Sequence, residues 1–402
     1  MYNCLQQKLI IFNSPLIQTP KFDNLLKLTI HKFKAIPLIL TKILLMKKLL
    51  LFLSCLFIIM ACQNKKSSTE NETQAKETTT PQKDAIDFIV AFGSCNKQDS
   101  NQPLWATMAK QKPDIFIWGG DNIYADTDDM SKMKADYQTQ LDHPDYAKFL
   151  KQIDHQIYGV WDDHDYGKND AGREWPHKVE SEQLFLDFMG VDSTDTRRAR
   201  KGTYYAEEIN VKDKTFKLIL LDTRYFRSPL QKDESSDKRY KPWQNGEGTL
   251  LGDTQWEWFE NQLKGSNVDY HIIMSSIQVW SDEHGWETWG NFPHEVNKLK
   301  QVLNDHKPKN LVILSGDRHI SEFSKQNLES YNYPVLDFTS SGLTHAYSKF
   351  TSEINSDRVG KVIAEESFGV LKYDFDNNLV MMEMRNEDGV LQEHTLKFEP
   401  VN

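Results

Sequence analysis

Trp118-Gly119-Gly120-Asp121-Asn122-Ile123-Tyr124 decides how this chain is read. It follows Ile115-Phe116-Ile117, an apolar run bounded by Pro113 and by two glycines, which reads as a buried strand that ends on a carboxylate. Three other segments repeat the design: Phe88–Phe92 into Gly93-Ser94-Cys95, Ile157–Trp161 into Asp162-Asp163-His164-Asp165, and Leu311–Leu314 into Ser315-Gly316-Asp317-Arg318-His319. In open α/β sheets the strand ends on one edge converge on a common crevice. Four such endings, rich in thiol, carboxylate and imidazole, point to one polynuclear metal site.

The segments between these strands alternate helix and strand, which favours parallel pairing with right-handed crossovers. Helices are expected near 102–111, 130–140 and 144–152, with a further one from Asp253 as its cap and another at 293–304. Strands are expected at 202–209, 215–221, 270–275, 335–339, 369–375, 379–385 and 391–398, with Asp376-Asn377-Asn378 as a hairpin turn. Residues 166–202 read as a long connection, and 225–251 as a loop long enough to be a lid or a substrate wall. The sum is a mixed α/β fold: a four-layer αββα sandwich of two mixed β-sheets flanked by helices, spanning 84–402.

The front of the chain is of another kind. Met46-Lys47-Lys48 precedes an apolar run from Leu49 to Ala61, the form of a secretory signal and short for a membrane span. Its Ile59-Met60-Ala61-Cys62 ending predicts lipidation of Cys62. Residues 1–45 are then expected to be upstream sequence, with translation starting at Met46. Residues 62–83 lack large apolar side chains and read as a disordered tether. The expected location is outside the cytoplasm, lipid-anchored to the cell envelope in the periplasm or at the outer membrane.

Residues 1–61 hold eight lysines against one acid, so of the net charge of -10 the remainder carries -17. So acidic a domain is ill suited to nonspecific nucleic-acid binding. Of four cysteines, Cys4 and Cys55 precede the expected lipidation site. Cys95 is thus left without a disulfide partner, either as a metal ligand or as a buried thiol.

In order and spacing, Gly93-Ser94-Cys95, Gly120–Tyr124, Trp161–Asp165 and Ser315–His319 resemble the PhoD-like branch of the calcineurin-like metallophosphoesterases. Softer matches are Leu220–Arg224, Gly252–Trp256, Gln278 and Ser340–His345. Thiolate and phenolate near one carboxylate suit Fe(III) better than Mg(II). The resemblance implies the same, with Cys95, Asp121 and Tyr124 around a ferric ion and His319 joining them. It also implies Asp121 as a bridge to Ca(II) held by Asp163 and Asp317, with Asn169 a further calcium ligand or phosphate contact and one or two calcium ions in all. Asp165 stands where glutamate is common, which bears on an outer calcium contact.

The implied reaction is hydrolysis of phosphate esters, with two close metal ions activating a water against phosphorus. His164 is the candidate to protonate the leaving group, and Arg173 or Arg200 to neutralise the phosphate. The expected substrate is a small phosphate ester or a phospholipid, and the expected state a monomer. Competing readings are a strict phosphomonoesterase and a non-catalytic lipoprotein that binds glycan or a partner through Trp280, Trp286 and Trp289. A serine hydrolase lacks its Gly-x-Ser-x-Gly element.

Overall fold

The computed structural model describes residues 86–400, which belong to the compact unit Pro81–Asn402. The upstream segment 1–45, the leader 46–61, Cys62 and the tether to 83 lie outside the described residues. Two large mixed sheets and their flanking helices make up the fold.

In the first sheet β1 (Phe88–Gly93), β2 (Ile115–Gly119) and β3 (Ile157–Val160) run parallel. On its other side β1 pairs antiparallel with β13 (Phe368–Asp374), which continues into β14 (Leu379–Asn386) and β15 (Gly389–Lys397). The order is β15-β14-β13-β1-β2-β3. The second sheet contains β4 (Tyr205–Val211), β5 (Lys214–Leu220), β8 (Tyr270–Met274), β9 (Leu311–Ser315), β10 (Ser321–Gln326), β11 (Val335–Ser340) and β12 (Arg358–Ile363). Its order is β12-β10-β11-β9-β8-β5-β4, with β5, β8, β9 and β11 parallel. Two-residue strands β6 (Gln231–Lys232) and β7 (Tyr240–Lys241) form a separate hairpin.

β2 shows why the strands read as continuous apolar runs, since both of its faces are covered. Ile115 and Ile117 join a core shared with the second sheet, while Phe116 and Trp118 join another. That second core is filled by α1 (Leu104–Lys110), α2 (Met130–Asp142), α3 (Pro144–Gln152), the one-turn α4 (Asp163–Tyr166) and α5 (Lys178–Phe188). Trp118 meets Trp105 edge-on at 5.2 Å and donates its Nε1–H to the Tyr146 hydroxyl at 3.0 Å. Aromatic pairs of this kind add about 0.5–1.5 kcal/mol each beyond burial, so the end of β2 is firmly held where it delivers Asp121. α6 (Gly252–Leu263) and α7 (Pro293–His306) pack Trp256, Phe259, Leu263, Leu299 and Leu303 into the first core.

Several elements depart from the sequence-based expectation. Helix α5 occupies the stretch read as a connection, because its buried apolar residues crowd into its second half and give no full helical stripe. β10 escapes notice because Ser, Glu and Lys dominate it, and β12 because Gly360 and Lys361 interrupt its short apolar pattern. Asp253 is no cap: α6 begins at Gly252 after Leu251, and Asp253 sits in the first turn, where its charge still favours the helix dipole. The approach to α6 is fixed from elsewhere, by the Glu295 carboxylate accepting from Leu250 N (2.9 Å), Leu251 N (3.1 Å) and Thr249 Oγ1 (2.5 Å). Among the described residues no helix is long and apolar enough to cross a membrane.

Candidate metal centre

The strand registers bring four chain ends to one edge. Gly93 pairs with Trp118 and Gly119 with Val160, so Cys95, Asp121 and the pair Asp162-Asp163 emerge side by side. From the other sheet, Asp317 and His319 follow β9. The two edges touch: a Cβ on Gly316 would lie 2.6 Å from the Gly119 carbonyl oxygen and 2.6 Å from Ser94 Oγ. Cys95 (φ 61), Asp121 (φ 51), Asp317 (φ 69) and His319 (φ 55) all adopt left-handed backbone. Non-glycine residues adopt it uncommonly, and here four of them sit together at the joined strand ends.

One cluster gathers Cys95, Asp121, Tyr124 and His319. Cys95 Sγ lies 3.3 Å from Asp121 Oδ2, the Tyr124 hydroxyl lies 3.3 Å from the same oxygen, and His319 Nε2 lies 2.8 Å from that hydroxyl. A second cluster places single donor atoms of Asp162, Asp163 and Asp317 within 4.8 Å of one another, and Asp121 also approaches Asp163 and His164. Asn169 lines the same cavity. The seven residues read as ligands therefore do converge, with Asp121 between the two groups.

The electrostatics fit resident cations. Burial, then the Cys95 and Asp163 charges, push the Asp121 carboxyl well above the usual range, and burial with Asp162 and Asp163 does the same to Asp317. Burial likewise pushes the Cys95 thiol up to about 12 and raises Tyr124. Asp163 Oδ1 and Asp162 Oδ2 are buried without a hydrogen-bond partner. Acids so crowded ask for positive charge. Sulfur, phenol and imidazole donors suit a transition-metal ion, and the carboxylates a hard cation.

Around these groups lies a supporting layer that sequence reasoning largely missed. Arg224 is fully buried; its Nε donates to Asp162 Oδ1 at 2.5 Å and its Nη1 to Glu287 Oε2 at 2.7 Å. Arg227 pairs with the other Glu287 oxygen at 2.9 Å. Only the strand-end run Asp222-Thr223-Arg224 hinted at this cation. Asp165 faces away from the cluster: it accepts from Asn122 Nδ2 and from Asp162 N, both at 2.6 Å, and burial holds its carboxyl up to about 8. It is thus a brace for the turns that carry Asp121 and Asp163.

His164 stacks on Tyr124 with centroids 4.1 Å apart, and its Nδ1 lies 2.8 Å from both Asp126 carboxylate oxygens. Burial opposes its protonation, but Asp121, Asp126 and Asp163 outweigh this and hold its pKa up to about 10. Arg173 and Arg200 do not reach the cavity. Arg173 is exposed, its backbone tied to Arg227, and Arg200 lies over the Tyr204 ring at 3.8 Å. The arginines at the cavity are Arg239 and Arg318, so segment 225–251 does contribute a wall. Of the three tryptophans read as a binding face, Trp280 and Trp289 are core residues, and Trp286 alone is exposed.

Two mixed sheets whose facing strand ends carry thiol, phenol, imidazole and carboxylate donors define a sandwich-fold protein with adjoining clusters of residues that could hold metal ions. A family model described as PhoD-like phosphatase matches residues 88–388, and the chain belongs to that family. Alkaline phosphatase D of Bacillus subtilis (strain 168) is 22% identical over 300 residues, covering 64% of this chain and 50% of the relative. The chain thus spans about half the length of that curated relative. Among solved structures, the one titled "Structure of PhoD" superposes with a TM-score of 0.58 at 17% identity, covering 79% of this chain and 69% of that one. GAP50, titled the anchor in the inner membrane complex of Plasmodium, gives 0.51 at 13% identity, covering 79% and 90%. Both show the fold.

Proposed function

We propose that the chain is a metal-dependent phosphoric ester hydrolase with phosphodiesterase and alkaline phosphatase activity. One observation carries this: seven donor residues that follow four strand ends come together, Asp121, Asp163, Asn169, Asp317 and His319 lining one cavity and Cys95 and Tyr124 meeting Asp121 beside it, in a member of the PhoD-like phosphatase family. The donor chemistry supports ferric iron at Cys95, Asp121, Tyr124 and His319, with calcium at Asp121, Asp163, Asp317 and Asn169. When bound, such ions would supply positive charge to the phosphoryl oxygens and acidify a water for in-line attack.

The chain's own part is positioning and proton transfer. Asp126 orients the His164 ring through Nδ1, leaving Nε2 on the cavity side, 4.0 Å from Asp163 Oδ1. A protonated ring so held donates to the departing alkoxide or stabilises the equatorial oxygens. Arg318 and Arg239 take the phosphate-neutralising role expected of Arg173 and Arg200. The leader-like run ending at Cys62 supports lipid anchoring outside the cytoplasm, for which loss of radiolabelled lipid incorporation in Cys62→Ala is the check.

Metal analysis of the protein purified without chelator tests the reading, together with its visible spectrum. We expect about one iron per chain and a charge-transfer band that disappears in Tyr124→Phe or Cys95→Ser. Absence of iron, with hydrolysis indifferent to both substitutions, overturns it. The ratio of activity on mono- and diester chromogenic substrates separates a phosphodiesterase from a strict phosphomonoesterase.

A further inference from the structure

The cavity has two chemically different ends. Beyond the acids, the histidines and Asn169, its wall is Arg239, Tyr240, Trp286, Arg318 and Tyr347, and no aliphatic side chain lines it. Its volume of about 250 Å³ falls below that of pockets which enclose a whole ligand, so the outer part of an ester must lie on the rim. The rim is where the unusual side chains are. Among the described residues five large hydrophobic side chains are exposed, and the two aromatic ones, Trp286 (37%) and Tyr347 (42%), both line this cavity.

Both residues are tied to the metal end, Trp286 through its ring and Tyr347 through its backbone. Trp286 donates its Nε1–H to Glu353 at 3.0 Å and its backbone N–H to His284 Nδ1 at 3.0 Å. The Arg318 guanidinium lies 5.5 Å from its ring centroid and is itself held by Glu353 at 2.7 and 2.9 Å. The next residue, Glu287, is locked by Arg224 and Arg227. Tyr347 hangs from the other side, its backbone N–H donating to the His319 carbonyl at 2.7 Å. An indole immobilised before a ligand arrives loses little entropy on stacking.

Resting on the hydrolase reading, we propose that this rim is a subsite for the planar heteroaromatic part of the substrate, with Trp286 as its platform, and that nucleoside phosphate esters are the preferred class. A polar ring system with a π face matches aromatic and guanidinium neighbours. An acyl chain would need the aliphatic wall that is absent. Trp286 is a specificity residue here, and it takes no part in bond breaking.

The test uses the full-length, metal-loaded protein and substrates in pairs that differ only in nucleoside against glycerol. The pairs are adenosine 5′-phosphate with glycerol 3-phosphate, and adenosine 5′-phosphocholine with glycerophosphocholine. Stacking of one base predicts a kcat/KM ratio of roughly 5- to 150-fold in favour of the nucleoside ester. Trp286→Ala should bring that ratio close to unity, chiefly through KM, while Trp286→Phe retains most of it. Calorimetry with the slowly hydrolysed adenosine 5′-thiophosphate should show the same weakening without turnover. Glycerol esters preferred, or a nucleoside preference indifferent to Trp286→Ala, overturns the subsite while leaving the hydrolase reading standing. If metal-loaded protein hydrolyses no member of either pair, nor p-nitrophenyl phosphate, the hydrolase reading itself fails.

Discussion

Replacing Arg224 by methionine removes the cation at the centre of the buried network and leaves the backbone and most of the volume in place. Two carboxylates then lose a partner, Asp162 at 2.5 Å and Glu287 at 2.7 Å. Asp162 keeps the Ser276 hydroxyl at 2.5 Å, and Glu287 keeps Arg227. Removing one partner of a buried ion pair costs about 3–5 kcal/mol. The upper half of that range is expected, since one guanidinium serves two acids. The cost should depend on pH. Even with Arg224 present, burial holds Asp162 up to about 6 and Glu287 up to about 7, against usual values near 4. Protonated, these acids leave the fold intact at low pH; as pH rises through their raised folded-state values, stability is lost. Without Arg224 those values climb further, so the gap between variant and parent should be wider at pH 8 than at pH 5.5. Urea unfolding followed by tryptophan fluorescence, with excess chelator in all samples, measures it. A variant as stable as the parent at pH 8, or a gap that does not change with pH, would refute the reasoning.

His271 gives a second pH effect, on the opposite limb. Fully buried, it lies 2.9 Å from both the Lys309 carbonyl and Ser266 Oγ, which satisfies a neutral ring, and burial lowers its pKa to about 4. As a base with a depressed folded pKa it should lose on the order of 3 kcal/mol of stability between pH 6.5 and 4, and His271→Gln should flatten that limb in chemical denaturation. Gly120 (φ 94) has no room for a side chain, a Cβ lying 2.6 Å from that of Asp162. Gly120→Ala should cost about 2–4 kcal/mol from crowding and left-handed strain and lower metal content. Gly190→Ala, at φ 68 in open space, should cost only about 1–2 kcal/mol; equal melting temperatures for the two variants would contradict this. Glu295→Ala leaves two buried N–H groups unpaired at the end of segment 225–251 and should destabilise by about 2–4 kcal/mol, with faster proteolysis in that segment as the readout.

The metal centre was legible because strands covered on both faces betray themselves as unbroken apolar runs. The residues just past such runs in β1, β2 and β9 can only lie at the sheet edge, and Cys95, Asp121 and Asp317 do. The arginines were not legible. A guanidinium carries no directional signal in sequence, so Arg173 and Arg200 read as phosphate partners, and only the course of the loops shows that Arg239 and Arg318 are the ones at the cavity. β10 was hidden for a related reason. Its Glu322 and Ser324 are buried against Arg358, Gln278 and Asn355, partners supplied by distant segments, so a polar stretch sits inside a sheet. The same holds for the tryptophans, of which the core takes Trp280 and Trp289 and leaves Trp286 outside.

The antiparallel pairing of β1 with β13, with Val90 opposite Leu371, has a consequence for how the protein is made. The strands that carry Cys95, Asp121 and Asp163 are synthesised first, yet one edge of β1 has no neighbour until the last hairpins have emerged. An uncovered, flat, apolar edge is a template for pairing with other chains, and contacts so far apart in sequence close slowly. A nascent chain stopped before Phe368 should therefore aggregate or engage a holdase, and the C-terminal hairpins act as the closing piece that releases it.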